Sequence, residues 1–379
     1  MADRTARTLL EQRIRERCLT FEEFVQHAET FARDNHEPGT LSLRHLQRLV
    51  SGQQLGALRP ATARLLEHIF GEPITALLAP PKTATTGDSG NPASELRQLL
   101  NTTRRVDRSA VTLLHQQLDV LRQLDRQLGA LVVHDELNTK IRQVQGLTAH
   151  SLAPETREPL NALLSEMHTL AGWQALDLGD IATAWQHYGH SRSTAEQSNS
   201  IPHESHAAAG QAIVLREAGM TDDAVDLLDS ARRHAEPASP RVLRSWLAAT
   251  HGETFAAHGD RSTSLRAFDR AAQLLPCDAP DERPCVALDN VHLARWRGQA
   301  LAHFGEPDAI TILTDALNQL DPSAVRAQAR TRIDLATALA TNGDWDEART
   351  HANHATQLAT QIGSARLHRR STTLLSTLH

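Results

Sequence analysis

The sequence predicts an all-α protein in which a head of five short helices (residues 1–81) precedes an array of stacked helical hairpins. Three observations support this prediction. Apolar residues make up 40% of the chain but aromatic residues only 3%, as suits closely packed helices rich in alanine and leucine. Runs of alternating β-branched residues, which would indicate strands, are missing. A hairpin-like pattern also recurs five times after residue 150.

The clearest copy of this pattern is the stretch from His251 to Pro276. Gly259 separates two helical segments, and a glycine there readily adopts the positive φ that a turn requires. Small residues on either side would let the two backbones approach, and Phe255 and Phe268 would fill the space between them. A single hairpin cannot bury its apolar face, so the pattern predicts that the copies stack on one another.

Corresponding turn glycines recur along the C-terminal region at intervals of 38 to 46 residues. They are Gly179, Gly219, Gly259, Gly305 and Gly343. Small and aromatic residues keep matching positions, such as Gly172 and Tyr188 around the first glycine. We expect residues 150–178 to open the array and a last helix over residues 364–378 to cap it.

Composition and charge exclude several classes of protein. The net charge of −6 argues against bulk coating of nucleic acid, so any DNA contact must come from a local basic patch. The chain has no run of 18 apolar residues and its first residues do not resemble an export signal. Cys18, Cys277 and Cys285 form no pairable framework. We therefore expect a cytoplasmic protein without membrane contact.

Motifs that would indicate catalysis are also missing. The chain contains no GxxxxGK[ST] loop and no GxGxxG following a strand. Two histidine pairs, His203 with His206 and His351 with His354, have a spacing that places both imidazoles on one helix face. No further paired ligand lies close in sequence, so we interpret them as solvated histidines. The sequence thus predicts no catalytic residue, no cofactor and no metal site.

The head carries capping and turn signals for its helices. Thr20 and Glu23 form a capping-box pattern, and Ser42 is a suitable N-cap for a helix over residues 43–50. Pro60 and Pro73 stand at first-turn positions of the last two segments. Leucines spaced along each segment give it an apolar face.

These segments resemble the lambda-repressor-like helix-turn-helix domain of the Xre family, in an actinobacterial group that adds a C-terminal TPR-like α-solenoid. The resemblance rests on LSLRHLQRLVSGQQ, RPATARLLEHIFGEPITALLAPP and, in the array, LAGWQALDLGD. Two features differ from that family: about ten residues, Thr30 to Gly39, precede the third helix, and Leu49-Val50-Ser51 replaces a Trp-Glu-Arg triplet. The layout is also similar to that of peptide-pheromone receptors, which serve quorum sensing. The resemblance implies a transcriptional regulator that binds double-stranded DNA as a homodimer.

By this resemblance the third helix of the head is the recognition helix. Arginine can pair with guanine and glutamine with adenine in the major groove, and Ser42 with the helix N-terminus suits a phosphate. The predicted DNA-binding residues are Ser42, Arg44, His45, Gln47 and Arg48. The alternative is that they form the solvated face of an ordinary amphipathic helix.

Residues 82–94 are polar and rich in Gly, Ser, Thr and Pro, which predicts a flexible linker. Connecting helices follow over residues 95–150, including one long helix from Asp107 to Val133. Leu114, Leu121 and Leu128 recur every seven residues in that helix. Such a seam can pack on the first hairpin of the array or pair with the same helix of a second subunit.

The array (residues 151–379) is predicted to form a concave groove, because in TPR-like hairpins the first helix of each pair faces inward. Mixed charges with a large aromatic suit a peptide or a small polar ligand. The predicted groove residues are His206, Arg216, Glu217, Trp246, Glu253, His292, Arg295, Gln299, Arg330 and Asp334. The alternative function is a protein-interaction adaptor of the TPR type that does not bind DNA directly.

Overall fold

The computed structural model describes residues 6–17, 19–35, 37–51, 58–80, 92–236, 239–276, 286 and 288–378. Within these ranges the chain forms α-helices and no strand, so the all-α prediction is confirmed for them. The chain divides into two compact units, unit 1 (Met1–Leu96) and unit 2 (Arg97–His379). The three cysteines and residues 82–91 of the predicted linker lie outside the described residues.

Unit 1 has five helices among its described residues: α1 (Leu9–Glu16), α2 (Phe21–Asp34), α3 (Leu43–Val50), α4 (Pro60–Phe70) and α5 (Ile74–Leu78). Both caps that the sequence predicts are present. Glu23 accepts a hydrogen bond from the backbone of Thr20 at 2.7 Å while Thr20 accepts one from the backbone of Glu23. The Ser42 hydroxyl accepts a hydrogen bond from the His45 backbone at 3.3 Å.

The connection between α2 and α3 differs from the prediction. Thr30 to Asp34 continue α2 instead of belonging to the turn, so α2 ends at Asp34 and α3 begins at Leu43. Phe31 packs against the core of unit 1 and Ala32 is buried in it, and this burial extends the helix by another turn. The connection is therefore shorter than the sequence indicates.

Helix α6 (Pro92–Thr103) contains the division between the two units, and it begins inside the predicted linker. Helices α7 (Arg108–Leu128) and α8 (Ala130–Ala149) follow in unit 2. The prediction of one continuous helix from Asp107 to Val133 is wrong, because Gly129 adopts φ +89° and ends α7. A Cβ atom on Gly129 would lie 2.1 Å from the carbonyl oxygen of Ile362. Both the backbone angle and the close approach require glycine there.

The predicted leucine seam on α7 packs within the unit. Leu121 is buried and Leu114 packs beside it, against a cluster that includes Leu160 and Leu163. This supports the alternative in which α7 packs on the first hairpin. Leu128, in contrast, is 47% exposed and does not belong to that seam.

Five helical hairpins follow. They are α9 (Pro154–Asp177) with α10 (Ile181–Gln197), α11 (Ile201–Glu217) with α12 (Thr221–Ala235), α13 (Arg241–His258) with α14 (Arg261–Leu274), α15 (Asn290–His303) with α16 (Asp308–Gln319), and α17 (Val325–Asn342) with α18 (Trp345–Gln361). All five predicted turn glycines have positive φ, between +73° and +95°. A last helix, α19 (Ala365–Thr377), packs against α17 and α18 as the predicted cap.

Aromatic rings fill the hairpins where glycines make room for them. Phe268 is buried against Gly252, as the sequence predicts. Phe255 does not share this role: it is only partly buried and contacts the rings of His251 and His258. Because one ring already occupies the space beside Gly252, the second is displaced to the rim.

Tyr188 gives a direct test of this packing. Its ring lies between two glycines, and a Cβ atom at Gly210 would stand 2.1 Å from it. We expect Gly210→Ala to lower the free energy of unfolding by about 1–3 kcal/mol through overpacking. The control is Gly146→Ala in α8, where a Cβ meets no atom within 4 Å and the change should stabilise the helix by up to about 1 kcal/mol. Urea unfolding followed by circular dichroism measures both, and equal effects would contradict the packing argument.

A cluster of imidazoles lies where α8, α9 and α10 meet. The Nδ1 atoms of His168 and His187 are 3.0 Å apart, and the ring centroid of His190 is 5.2 Å from that of His168. Gln145 and His134 also face these rings. Burial and the neighbouring His187 and His190 lower the pKa of His168 to about 3. The folded protein therefore holds His168 neutral.

Stability should consequently fall as the pH drops below about 6.5. In the unfolded chain a histidine has a pKa near 6.5, whereas in the folded protein the pKa of His168 is about 3. Between these two pKa values the unfolded state binds more protons than the folded state. At pH 5 this amounts to about 2 kcal/mol for His168. We expect His168→Asn to lose less stability than the wild type between pH 7 and pH 5 in thermal unfolding. An identical loss in both proteins would show that other groups cause it.

Candidate functional site

The first helices of the hairpins enclose a cavity of about 600 Å³ in unit 2, which we call the central cavity. Side chains from α9, α11, α13, α15 and α17 line it, and α7 and α19 add further walls. Two smaller pockets share lining residues with it. The side pocket, of about 310 Å³, includes Glu217 and Gln299, and the inner pocket, of about 170 Å³, includes His292 and Arg295.

Aromatic side chains form the apolar part of the central cavity. Trp246 contacts the ring of His206 edge-on at 4.9 Å and that of Trp296 at 6.4 Å. The guanidinium carbon of Arg366 lies over the ring of Trp173, 4.8 Å from the ring centroid. Ordered indoles of this kind offer flat surfaces for a ligand.

An arginine joins the two ends of the array. Arg326, at the start of α17, donates two hydrogen bonds to Asp125 on α7, at 2.6 and 3.2 Å. Its Nε atom donates to Asp177 at the end of α9, at 3.0 Å. Ser364, the N-cap of α19, donates to the other oxygen of Asp177 at 2.7 Å. The first and last elements are thus held in contact around the cavity.

Carboxylates hold two further arginines in place. Arg330 donates to Glu253 and, at 2.5 Å, to Gln299. Burial opposes the ionisation of Glu253, but the charges of Arg330 and Arg216 lower the pKa of its carboxyl group. Arg366 donates to Glu217 at 3.2 Å. These pairs hold the two guanidinium groups in place at the cavity wall.

Glu166 on α9 also lines the central cavity. It accepts a hydrogen bond from Arg122 at 2.7 Å, and His203 lies 3.4 Å from its other oxygen. Burial opposes ionisation, but the hydrogen bond from His203 and the charge of Arg122 lower the pKa of Glu166 to about 2. The carboxylate is therefore ionised at neutral pH.

Nine of the ten predicted groove residues line the three cavities. Seven of them border the central cavity or the side pocket, namely His206, Arg216, Glu217, Trp246, Glu253, Gln299 and Arg330. His292 and Arg295 border the inner pocket. Asp334 does not line any of the three: it is buried and accepts a hydrogen bond from Arg370 at 2.9 Å. Their role in binding stays a prediction.

The sequence reasoning missed several lining residues, among them Arg122, Glu166, Trp173 and Arg366. Their positions relative to the turn glycine identify two of these residues, Glu166 and Trp173. His206, Trp246, His292 and Arg330 each stand 13 residues before their turn glycine, and the same offset in the first hairpin is Glu166. Six residues before the turn, Glu253 and Gln299 correspond to Trp173. Arg122 and Arg366 lie on helices outside the repeats, so this signal could not find them.

Comparisons with known proteins concern the fold alone. No protein-family model matches the chain, and no curated protein matches it in sequence. The TPR-like repeats of a putative kinesin light chain from Podosopora anserina are 16% identical over 57% of this chain and 100% of that one, with a TM-score of 0.36. BtubC from P. vanneervenii is 13% identical over 64% and 93%, with a TM-score of 0.43.

A third similar structure is the complex of the TPR2AB domain of yeast Sti1 with pHSP90. It is 16% identical over 57% of this chain and 83% of that one, with a TM-score of 0.26. All three TM-scores are below 0.5, so these similarities carry no inference about what this chain binds. Helical hairpins with recurring turn glycines nevertheless make unit 2 a TPR-like array.

The histidine pairs differ from the prediction of solvated side chains. His203 contacts Glu166, and His206 is packed against Trp246 in the cavity wall. His351 is partly buried, with Arg332 at 3.2 Å, whereas His354 is exposed. Within the described ranges no group of three or more His, Cys, Asp or Glu residues could hold a metal ion.

The predicted DNA-binding residues all lie on α3 of unit 1 or cap it. Ser42, Arg44, Gln47 and Arg48 are exposed, and His45 is partly exposed. The opposite face of the helix is buried through Leu46, Leu49 and Val50. Elsewhere, no described helix is long and apolar enough to cross a bilayer.

Proposed function

We propose that this chain is a DNA-binding transcriptional regulator whose TPR-like array binds a peptide or small-molecule ligand in its cavity. The exposed face of helix α3 is the observation that supports DNA binding. It is a short amphipathic helix that buries its apolar residues in unit 1 and exposes Arg44, Gln47 and Arg48 together. The array contributes the sensing half through the cavity described above.

Helix α3 offers the side chains that read bases in a major groove. Arg44 and Arg48 are four residues apart and therefore lie on one helix face, with Gln47 beside them. Arginine pairs with guanine and glutamine with adenine through two hydrogen bonds each. The N-terminus of α3 adds free backbone N–H groups that suit a phosphate.

The surrounding charge favours specific over general DNA binding. Glu22, Glu23 and Glu29 are exposed on α2, and the net charge of the chain is −6. Non-specific binding depends on the number of phosphates that basic residues neutralise, and these acidic residues oppose it. Base contacts from α3 must therefore supply most of the affinity.

The regulator is proposed to act as a cytoplasmic homodimer without catalytic activity. Leu113 and Val120 are seven residues apart on α7 and are 57% and 53% exposed, which suits pairing with a second copy. A dimer carries two reading heads, and such proteins bind two half-sites a whole number of helical turns apart. A ligand that prefers one state of the array would shift the protein between competent and incompetent forms.

Selecting DNA from fragments of the source genome with the full-length protein tests this proposal. We expect a protected site with two half-sites, and sedimentation should give the mass of a dimer. If no fragment is enriched, unit 1 is not a DNA reader. The alternative of a protein-interaction adaptor, in which unit 1 is a helical docking surface, would then replace it.

A further inference from the structure

The inner pocket has an unusual charge. Its walls include five arginines and two tryptophans, and no carboxylate lines it among the residues that the structure describes. The arginines are Arg126, Arg295, Arg326, Arg330 and Arg366. Like charges held together in a confined space repel one another unless an anion lies between them.

Arg295 is the least satisfied of these groups. Its residue is only 5% exposed, and its Nε and Nη1 atoms have no hydrogen-bond partner within the described part of the chain. Arg326, Arg330 and Arg366 each contact at least one carboxylate, whereas Arg126 is exposed to solvent. Burying a cation whose N–H groups lack acceptors is unfavourable, so Arg295 keeps donors for which the described residues supply no acceptor.

Burial and the nearby Arg330 lower the pKa of Arg295 to about 9, although the charges of Asp334 and Glu253 act in the opposite direction. That value is still above neutral pH, so the guanidinium keeps its charge. Desolvation therefore disfavours the charged form of Arg295 but does not remove its charge at neutral pH. An anion placed against the group would reverse this effect.

Other unpartnered donors border the same pocket. They are the indole N–H of Trp296 and the Nε atoms of Arg330 and Arg366. Guanidinium and indole groups only donate hydrogen bonds. A ligand that contacts several of them must accept several hydrogen bonds at once, which is the property of an oxyanion.

We infer that the array binds a small organic anion, with its oxyanion in the inner pocket against Arg295 and Trp296 and its apolar body in the central cavity. The oxyanion is a carboxylate or a phosphate, and the body is a flat aromatic group that packs beside Trp173 and Trp246. The combined space falls in the range typical of small-molecule sites. This inference rests on the ligand-binding half of the proposed function and specifies its ligand class.

Two fluorescent dyes of nearly equal shape test the inference on the full-length protein. 1-Anilinonaphthalene-8-sulfonate carries an anionic group, and N-phenyl-1-naphthylamine is its neutral counterpart. We expect the anionic dye to bind at least tenfold more tightly than the neutral one. Equal affinity for both dyes would overturn the inference.

Arg295→Gln should remove this preference while leaving the neutral dye bound as before. The matched control is Arg297→Gln on the same helix, which removes a partly exposed arginine that pairs with Asp269 of α14 and should change neither affinity. Because buried Arg295 lacks hydrogen-bond partners at Nε and Nη1, the Tm of Arg295→Gln should be no lower than that of the wild type. A folded Arg295→Gln protein that keeps the tenfold preference would overturn the inference.

Trp296→Phe provides a second variant that keeps an aromatic ring at this position and removes the N–H donor together with part of the indole. It should weaken the anionic dye severalfold, and unchanged binding would count against the assignment of the inner pocket. Competition identifies the oxyanion: phenyl phosphate or 3-phenylpropionate should displace the dye, whereas neutral 3-phenylpropanol should not. Displacement by all three compounds, or by none, contradicts the inference.

These measurements contain no DNA. A failure of anion binding would therefore leave a positive DNA selection untouched, and a failure of DNA selection would leave the dye measurements standing. The ligand class and the DNA-reading role are thus tested separately.

Discussion

Replacing Arg326 by alanine should lower the free energy of unfolding of unit 2 by about 3–5 kcal/mol. The side chain donates to Asp125 on α7 and to Asp177 on α9, and all three groups are nearly fully buried. Removing the cation leaves two buried carboxylates without a charge partner. Loss of one partner of a buried ion pair is far more destabilising than loss of a surface pair.

The consequence extends to the architecture of the cavity. Arg326 bridges elements separated by 201 residues, and hairpin stacking alone does not supply this contact. A loss of 3–5 kcal/mol should lower the Tm by roughly 10 °C for a unit of this size. Differential scanning calorimetry measures the shift, and limited proteolysis reports whether α7 and α19 become more accessible.

Arg297→Ala is the matched control for this prediction. Arg297 also pairs with a carboxylate, Asp269, but both side chains are substantially exposed, so its loss should change stability by no more than about 1 kcal/mol. A triple change of Arg326→Met, Asp125→Asn and Asp177→Asn should recover part of the stability, since it removes the buried charges together. If Arg326→Ala costs no more than Arg297→Ala, the proposed closure of the array is wrong.

The hairpins were predictable from sequence because their determinants are local. Each turn glycine has positive φ, and each follows a small residue of the same hairpin by seven positions. Phe268 packs on Gly252 of its own hairpin, and Tyr188 packs on Gly172 of its own hairpin as well as on Gly210 of the next one. The positions of residues relative to each turn glycine also predicted the nine groove residues that line the cavities.

What the sequence did not predict depends on long-range contacts. The break at Gly129 follows from its approach to Ile362, more than two hundred residues away. Asp334 has the spacing of an inward residue, yet Arg370 on α19 engages it within the core. Arg122 and Arg366 reach the cavity from helices outside the repeat, so neither has a counterpart that a periodic pattern could reveal.

Changing Arg44 or Arg48 to alanine should weaken operator binding by about 1–3 kcal/mol each, if each pairs with a base. Both side chains are exposed on α3 and neither belongs to the core of unit 1, so the variants should fold normally. The double variant is expected to bind the selected site no better than unrelated DNA. Fluorescence anisotropy with the selected fragment and a scrambled fragment measures both affinities.

The salt dependence of binding separates the two kinds of contact that an arginine can make. A base contact contributes to discrimination between sequences, so its loss relaxes specificity at one position of the site. A phosphate contact contributes equally to all sequences, and its loss reduces the slope of log K against log salt by about one. Arg13→Ala controls for the change in net charge, because Arg13 lies on α1 and is paired with Glu16 and Glu72. Operator affinity that survives the Arg44 and Arg48 substitutions, or that falls no further with them than with Arg13→Ala, would remove α3 as the reading helix and favour the adaptor.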